Sequence, residues 1–304
     1  MTVLFALILA LLIGWTAQRM GLCLVRACEL LLQGRPTLFV ALLSCGLFGL
    51  LLAPLYERLG ISQPLFSPGI GYWPLLTGGL LFGVASVLNG GCSLGTLTRI
   101  TRGDLNLTLT IVGWVLGILL WHHLNRQPEY KIDRLPEISS LHYGLTLGIL
   151  LLVLLVLVRA HGDRRLVLAS MLLGTLTRAL YSLEPLWTPS DFFYDLAQWV
   201  WTPGQWLISG QRLAVFAALL LGMLGFTVYR KTFRWQAIRL AASSRHLLSG
   251  VLMGGGASMM LGGNDSQMLL VFPTLNAVSS LPLLAIVVGI LAALGVRRCC
   301  RPPT

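Results

Sequence analysis

Charge is scarce in this chain. Only 11% of its 304 residues are Asp, Glu, Lys or Arg, against roughly a quarter in a soluble domain. That deficit excludes a soluble globular protein, and the 56% hydrophobic content and mean hydropathy of +0.79 point to an integral membrane protein. Acidic residues are the rarer sign, 11 against 22 Lys and Arg, for a net charge of +11. The excess does not indicate a nucleic-acid partner, because the basic residues are spread between apolar runs, as in the cytoplasmic loops of polytopic proteins. No CxxC pair and no histidine cluster at metal-ligand spacing is present, so no metal and no disulfide framework is expected. No Gly-x-x-x-x-Gly-Lys run is present either, so neither a nucleotide nor any other cofactor is expected. The first apolar run, Thr2 to Ala17, lacks a preceding basic region and is followed by Gln18-Arg19, which reads as a spanning helix rather than a cleaved signal.

A helix that crosses a bilayer needs about 20 apolar residues. Nine stretches qualify as candidates: roughly 2–18, 37–56, 72–89, 105–122, 141–159, 165–183, 211–229, 246–261 and 277–295. The connections between them alternate. Arg19, Arg26 and Arg35, then Arg99 and Arg102, then Arg159, Arg164 and Arg165, then Arg230 to Arg245, and finally Arg297, Arg298 and Arg301 make every second connection basic. With nine spans, this alternation predicts the N-terminus outside and the C-terminus in the cytoplasm. Pro185–Trp206, rich in Trp, Phe and Tyr, reads as a helix on the membrane surface, and His122-His123 as interfacial.

Chemistry is expected where glycines interrupt the apolar runs. Gly90-Gly91-Cys92-Ser93-Leu94-Gly95 closes one run and leads to Arg99. Non-helical backbone at membrane depth survives only where protein buries it or where it lines a cavity. Cys92 therefore fits two readings, a thiol facing a path through the membrane and a thiol packed beneath a turn. Arg19-Met-Gly21-Leu-Cys23 repeats the pattern after the first run, with Arg26 and Cys28 following. Cys45, within an apolar stretch, reads as packing. Thiols donate weak S–H hydrogen bonds and sulfur is polarisable. Thiols, bare glycine amides and nearby Arg19, Arg26 and Arg99 together suit a small anion that contains sulfur. Few carboxylates oppose it within the runs. Asp265 is the exception, and it fits both a functional charge at membrane depth and a cap on the helix that follows it.

An internal echo sets Gly79-x-x-x-Gly83 and Gly90-Gly91-Cys92 against Gly250-x-x-x-Gly254 and Gly262-Gly263-Asn264-Asp265, which places Cys92 opposite Asn264. Opposed directions of the two runs suggest an inverted repeat, as in transporters whose sites lie at Gly-interrupted segments. A second echo, Gly14 to Arg19 against Gly225 to Arg230, joins runs of the same direction and conflicts with inversion.

The early Arg19, Gly21, Cys23 segment, the Gly90, Gly91, Cys92, Gly95 bend and the late Gly262, Gly263, Asn264, Asp265 bend, in this order and spacing, resemble the YeeE/YedE sulfur-transport family along nearly the whole chain. The resemblance implies a bacterial inner-membrane permease that imports thiosulfate or a related sulfur compound. It also implies an hourglass-like helical fold, with cysteines passing the anion along and a cytoplasmic SirA/TusA-like sulfur carrier as partner. Cys23 and Cys92 match the family's first two functional cysteines. Thiosulfate importers of the family have a third in the second half, whereas no cysteine falls between Ser93 and Arg298 here. Thiosulfate, another sulfur species and a selenium species thus remain open as cargo.

The sequence therefore predicts an all-α polytopic membrane protein with about nine transmembrane helices plus short Gly-interrupted or re-entrant helices. It forms one transport domain over 1–304, with approximate halves 1–140 and 141–304 related by inverted pseudo-symmetry. It is expected to be a permease rather than an enzyme; the alternative is a membrane thiol enzyme that uses Cys92 as sulfur acceptor or redox centre.

Overall fold

The computed structural model describes residues 2–51, 55, 58, 66–68, 71–125, 132–134, 144–152, 164–202, 208–275 and 277–300. The ends of the predicted stretches 37–56 and 141–159, Arg126, Arg159, Trp206 and Arg301 lie outside the described residues.

Twelve helical elements follow one another in two matching sets of six. The first set is α1 (Thr2–Met20), α2 (Leu24–Leu31), α3 (Thr37–Leu50), α4 (Tyr72–Asn89), α5 (Ser93–Ile100) and α6 (Thr108–Asn125). The second is α7 (Arg164–Leu183), α8 (Pro189–Trp201), α9 (Gly210–Tyr229), α10 (Leu240–Met259), α11 (Asn264–Ser266) and α12 (Ala277–Cys299). A further helical stretch covers 144–152, and α11 continues into a wider π-type turn over Gln267–Val271. The described β-structure is a three-residue antiparallel pair, Phe66–Pro68 with Ile132–Arg134, and an isolated bridge between Asp104 and Gln236. Each predicted apolar stretch is helical over most of its described residues. Among the described residues six helices are long and apolar enough to cross a membrane, which makes the chain an all-α polytopic membrane protein; α3 is a shorter apolar helix.

The main contacts between long helices recur when each element is exchanged for the one six places on. Helix α3 packs on α7 as α9 packs on α1; α6 packs on α10 as α12 packs on α4; α6 meets α8 as α12 meets α2. Helices α1 with α7, and α4 with α10, face each other across the middle. Small residues let the backbones approach, as is usual between helices in lipid, where apolar burial gives little net drive. A Cβ at Gly79 or Gly83 would run into α12 near Pro282 and Ile286, and one at Gly250 or Gly254 into α6 at Thr110 and Trp114. The first echo is therefore one packing motif used twice.

The second echo lies at a contact between α1 and α9. Gly14 of α1 lies against the Leu219 carbonyl of α9, and Gly222 of α9 against the Leu11 carbonyl of α1. The two echo segments pack on each other, with Trp15 against Phe226 and Tyr229 and Gln18 donating to Thr227. The counterpart of α1 in the exchange is α7, not α9.

Candidate functional site

All four short helices begin at a sharp break, three of them with a left-handed glycine. Helix α1 ends where Gly21 turns left-handed (φ 65°), and Cys23, with extended backbone, caps α2. Helix α4 ends the same way at Gly90 (φ 77°), and Cys92 caps α5. Glycine takes this conformation without the steric cost a Cβ would bring. After α10 the left-handed positions are Leu261 and Gly262, and Gly263 caps α11. Helix α8 starts without glycine: Thr188 is its cap, Pro189 its first residue, and the Thr188 hydroxyl accepts from the Asp191 amide at 3.4 Å.

The first amides of a helix have no partner within it, and in α2, α5 and α11 the cap side chain does not reach back to supply one. The short helices satisfy one another instead. The Leu24 N–H of α2 donates to Cys92 Sγ at 3.3 Å. The Ser93 N–H and hydroxyl of α5 donate to Asn264 Oδ1 at 3.2 and 2.7 Å. The Ser190 N–H of α8 donates to Asp265 Oδ2 at 3.0 Å. Asp265 does act as a helix cap, but on α8 and not on the helix that follows it. Cys92, Ser93, Asn264, Asp265 and Ser190 are all buried, so each bond is made away from water, where a missing partner costs about 1–3 kcal/mol.

This network also sets the register of the repeat. Ser93 and Asn264 are 171 residues apart, and the same offset relates Gly79 to Gly250, Gly83 to Gly254 and Cys92 to Gly263. The backbone angles agree, with Cys92 at φ −77°, ψ −171° and Gly263 at φ −84°, ψ −175°. The counterpart of Cys92 is thus Gly263, one residue earlier than the sequence pairing with Asn264.

The two thiols meet over Gly95. A Cβ added there would lie 2.7 Å from Cys23 Sγ and 3.6 Å from Cys92 Sγ. Gly91 packs against the same turn of α5, near the Gly95 carbonyl carbon. Behind the bend, the buried Asn89 donates to the Gly91 carbonyl (3.0 Å) and the Thr96 hydroxyl (2.8 Å), while its oxygen faces Thr110 (2.7 Å) and His246 Nδ1 (2.9 Å). Cys45 is buried in α3 and bonds its own helix at the Ala41 carbonyl, which is a packing role. Cys28 is buried, Cys299 and Cys300 are exposed, and all six cysteines are free.

The arginines divide. Arg99 clamps the bend, donating to the Gly90 carbonyl at 3.2 Å and pairing with Asp104 at 2.7 Å. Arg19 and Arg26 are exposed, and the Arg26 guanidinium lies over Gly21. Burial and the Arg26 charge lower the pKa of Arg102. Two basic cavities flank the loop 230–239. One, of about 610 Å³, is lined by Arg19, Arg165 and Arg230 with Trp15, Phe226 and Tyr229. The other, of about 490 Å³, is lined by Arg99, Arg239, Arg245, Asp104 and His246.

The sequence pattern alone does not reveal α8 as a broken helix. The segment is expected on the membrane surface; Trp199 and Trp201 are exposed, with Trp201 packed edge-on against His122 at 4.8 Å. The expectation fails for Trp187, Thr188, Ser190, Phe192 and Phe193, all buried. The signal that could have found the break is Thr188-Pro189-x-Asp191: a capping residue, Pro in the first turn and an acid in the same turn.

Broken helices meeting in the middle of a polytopic helical protein are the build of a membrane transporter. A family model for sulphur transport matches residues 21–178, just over half of the chain, and the chain belongs to that family, YeeE/YedE. The match takes in Cys23, the Gly90–Gly95 bend and Arg99, and it ends within α7, before Thr188 and Gly263. No curated protein matches the chain.

Proposed function

We propose that this protein imports a small sulfur-containing anion, thiosulfate or a related sulfur or selenium species, along a path that passes Cys23 and Cys92. The observation that carries this reading is the meeting of the two thiols at the N-terminal ends of α2 and α5, over the bare backbone of Gly95. Helix N-termini carry partial positive charge, and thiols offer S–H donors and polarisable sulfur to an anion that has sulfur of its own. Gly90 and Gly91 form the bend that presents Cys92. On the far side of the path, Gly262 and Gly263 keep the backbone bare, and Asn264 and Asp265 fix α5 and α8 in place.

The alternation of basic connections supports an N-terminus outside and a C-terminus in the cytoplasm of a bacterial inner membrane. Arg19 and Arg26, beside the Arg99 clamp, then draw the anion toward the cytoplasmic mouth, where a SirA/TusA-like carrier receives the sulfur. The two sets of six helices work as one transport domain with inverted halves. No chemical conversion is required of the chain.

The test is growth with the anion as sole sulfur source in cells that lack other uptake routes. Cys92→Ala at normal expression abolishes growth; unimpaired growth contradicts the path. A persulfide trapped on Cys92 during turnover would mark a thiol enzyme instead.

A further inference from the structure

The half of the centre built by α8 and α11 has no thiol and carries two carboxylates near its caps, Asp191 and Asp265. Asp265 is fully buried. Its Oδ2 accepts the Ser190 amide, while its Oδ1 is enclosed without a hydrogen-bond partner among the described residues. That oxygen faces the bare Cα of Gly263: a Cβ built there would lie 2.7 Å from it and 3.1 Å from Ser190 Oγ. A second carboxylate is linked to it through Ser190, whose amide donates to Asp265 and whose hydroxyl meets that of Ser266. Ser266 Oγ lies 2.7 Å from Ser190 Oγ and donates to Asp191 Oδ1 at 3.4 Å, and Thr188 Oγ1 donates to Asp191 Oδ2 at 2.6 Å. A void of about 10 Å³ abuts Ser190, Tyr194, Ser258 and Gly262, room for about one water molecule.

Among the described residues, neither carboxylate of the pair is in a salt bridge. Asp195 of α8 and Glu184 are both held by Arg212 of α9. From α7 come Tyr181 and Arg178, whose guanidinium lies 4.9 Å from the Tyr181 ring centroid. The neighbouring Ser93 of α5, Trp114 and Ile118 of α6 and Ser258 of α10 carry no charge. Among the described residues, four carboxylates thus face two guanidiniums. A buried, ionised oxygen without a partner is costly, and in a dry site it repels an anion passing near it. A proton on the carboxyl group removes both penalties.

We propose that Asp265, with Asp191 behind it, is a proton-binding site, and that the protein carries at least one proton inward with each anion. The proton leaves the outer solution, resides on Asp265 Oδ1 and is released to the cytoplasm, so the only bond made and broken is that O–H. This rests on the import function proposed for the same centre. The experiment uses the full chain in liposomes loaded with a pH-sensitive dye, supplied with radiolabelled thiosulfate, sulfite and selenite at a clamped membrane potential.

Anion uptake is expected to acidify the lumen by at least one proton per anion. An acid-outside gradient of one pH unit is expected to raise accumulation roughly tenfold for a single coupled proton. Asp265→Asn lowers the proton-to-anion ratio toward zero, and Asp265→Glu, which keeps the carboxyl group, preserves it. The proton-to-anion ratio of the wild-type protein tests the coupling even if Asp265→Asn fails to fold. Uptake without acidification, uptake driven by a sodium gradient in place of a pH gradient, or a wild-type ratio retained by Asp265→Asn overturns the proposal while import of the anion stands. Absence of uptake for every anion overturns both.

Discussion

The two halves of the centre share a backbone plan and differ in chemistry. At the caps of α2 and α5 stand Cys23 and Cys92; at the caps of α8 and α11 stand Thr188 and Gly263. Three residues after the cap, α2 carries Arg26 and α8 carries Asp191. The Leu24 amide of α2 ends on a thiol, whereas the Ser190 amide of α8 ends on a carboxylate. One repeated scaffold thus holds a soft, electropositive face and a hard, electronegative one a few residues apart. The comparison teaches that the repeat supplies geometry, the crossing helices and the breaks, while the side chains at the breaks set the chemistry of each half.

The comparison breaks most sharply at Gly95. Gly95→Ala puts a methyl 2.7 Å from Cys23 Sγ and 3.2 Å from its Cβ, so the thiols must move apart. Overpacking of this kind costs about 1–3 kcal/mol, and a drop in uptake of about tenfold or more is expected, together with a lower thermal midpoint. The counterpart position by the 171-residue offset is Ser266, which touches no thiol. Ser266→Ala is expected to leave the Cys23–Cys92 contact in place, read by whether the two thiols still cross-link with a short bifunctional reagent.

A smaller effect is expected behind the bend. Asn89→Leu strips the Gly91 carbonyl, Thr96, Thr110 and His246 of a shared partner. Unsatisfied buried groups cost about 1–3 kcal/mol, which chemical denaturation in detergent would read as a lower midpoint. The second half has Met260 at the matching position and no such clamp to lose. Smallest is the charge contrast. Arg26→Gln is expected to raise the KM for the anion a few-fold and to weaken its dependence on ionic strength, because an exposed charge acts through a screened field.

Much of the fold was legible in the sequence because it rests on local rules. Apolar runs gave the long helices, and the glycines after α1, α4 and α10 gave three of the four breaks. The break before α8 was not legible as such, because seven aromatic residues between Trp187 and Trp206 outweighed the short cap signal at Thr188. Composition placed the segment at the membrane surface; packing against α6 and α11 pulled its first turns inside. The role of Asp265 was half legible. That it caps a helix follows from its residue type, but the helix it caps is 75 residues away, and no single sequence reveals that. The pairing of Cys92 with Asn264 failed by one residue because the paired glycines fall at different points of the two breaks: Gly90 carries the first left-handed turn in one, Leu261 in the other.

The central claim is that Cys92 lies on the path of the anion. Its most direct test is the initial rate of thiosulfate uptake into proteoliposomes by wild type, Cys92→Ala and Cys45→Ala, each checked for folding by thermal midpoint. Uptake at background level for Cys92→Ala beside a near-normal rate for Cys45→Ala is the predicted result. A folded Cys92→Ala protein that transports at the wild-type rate would contradict the account.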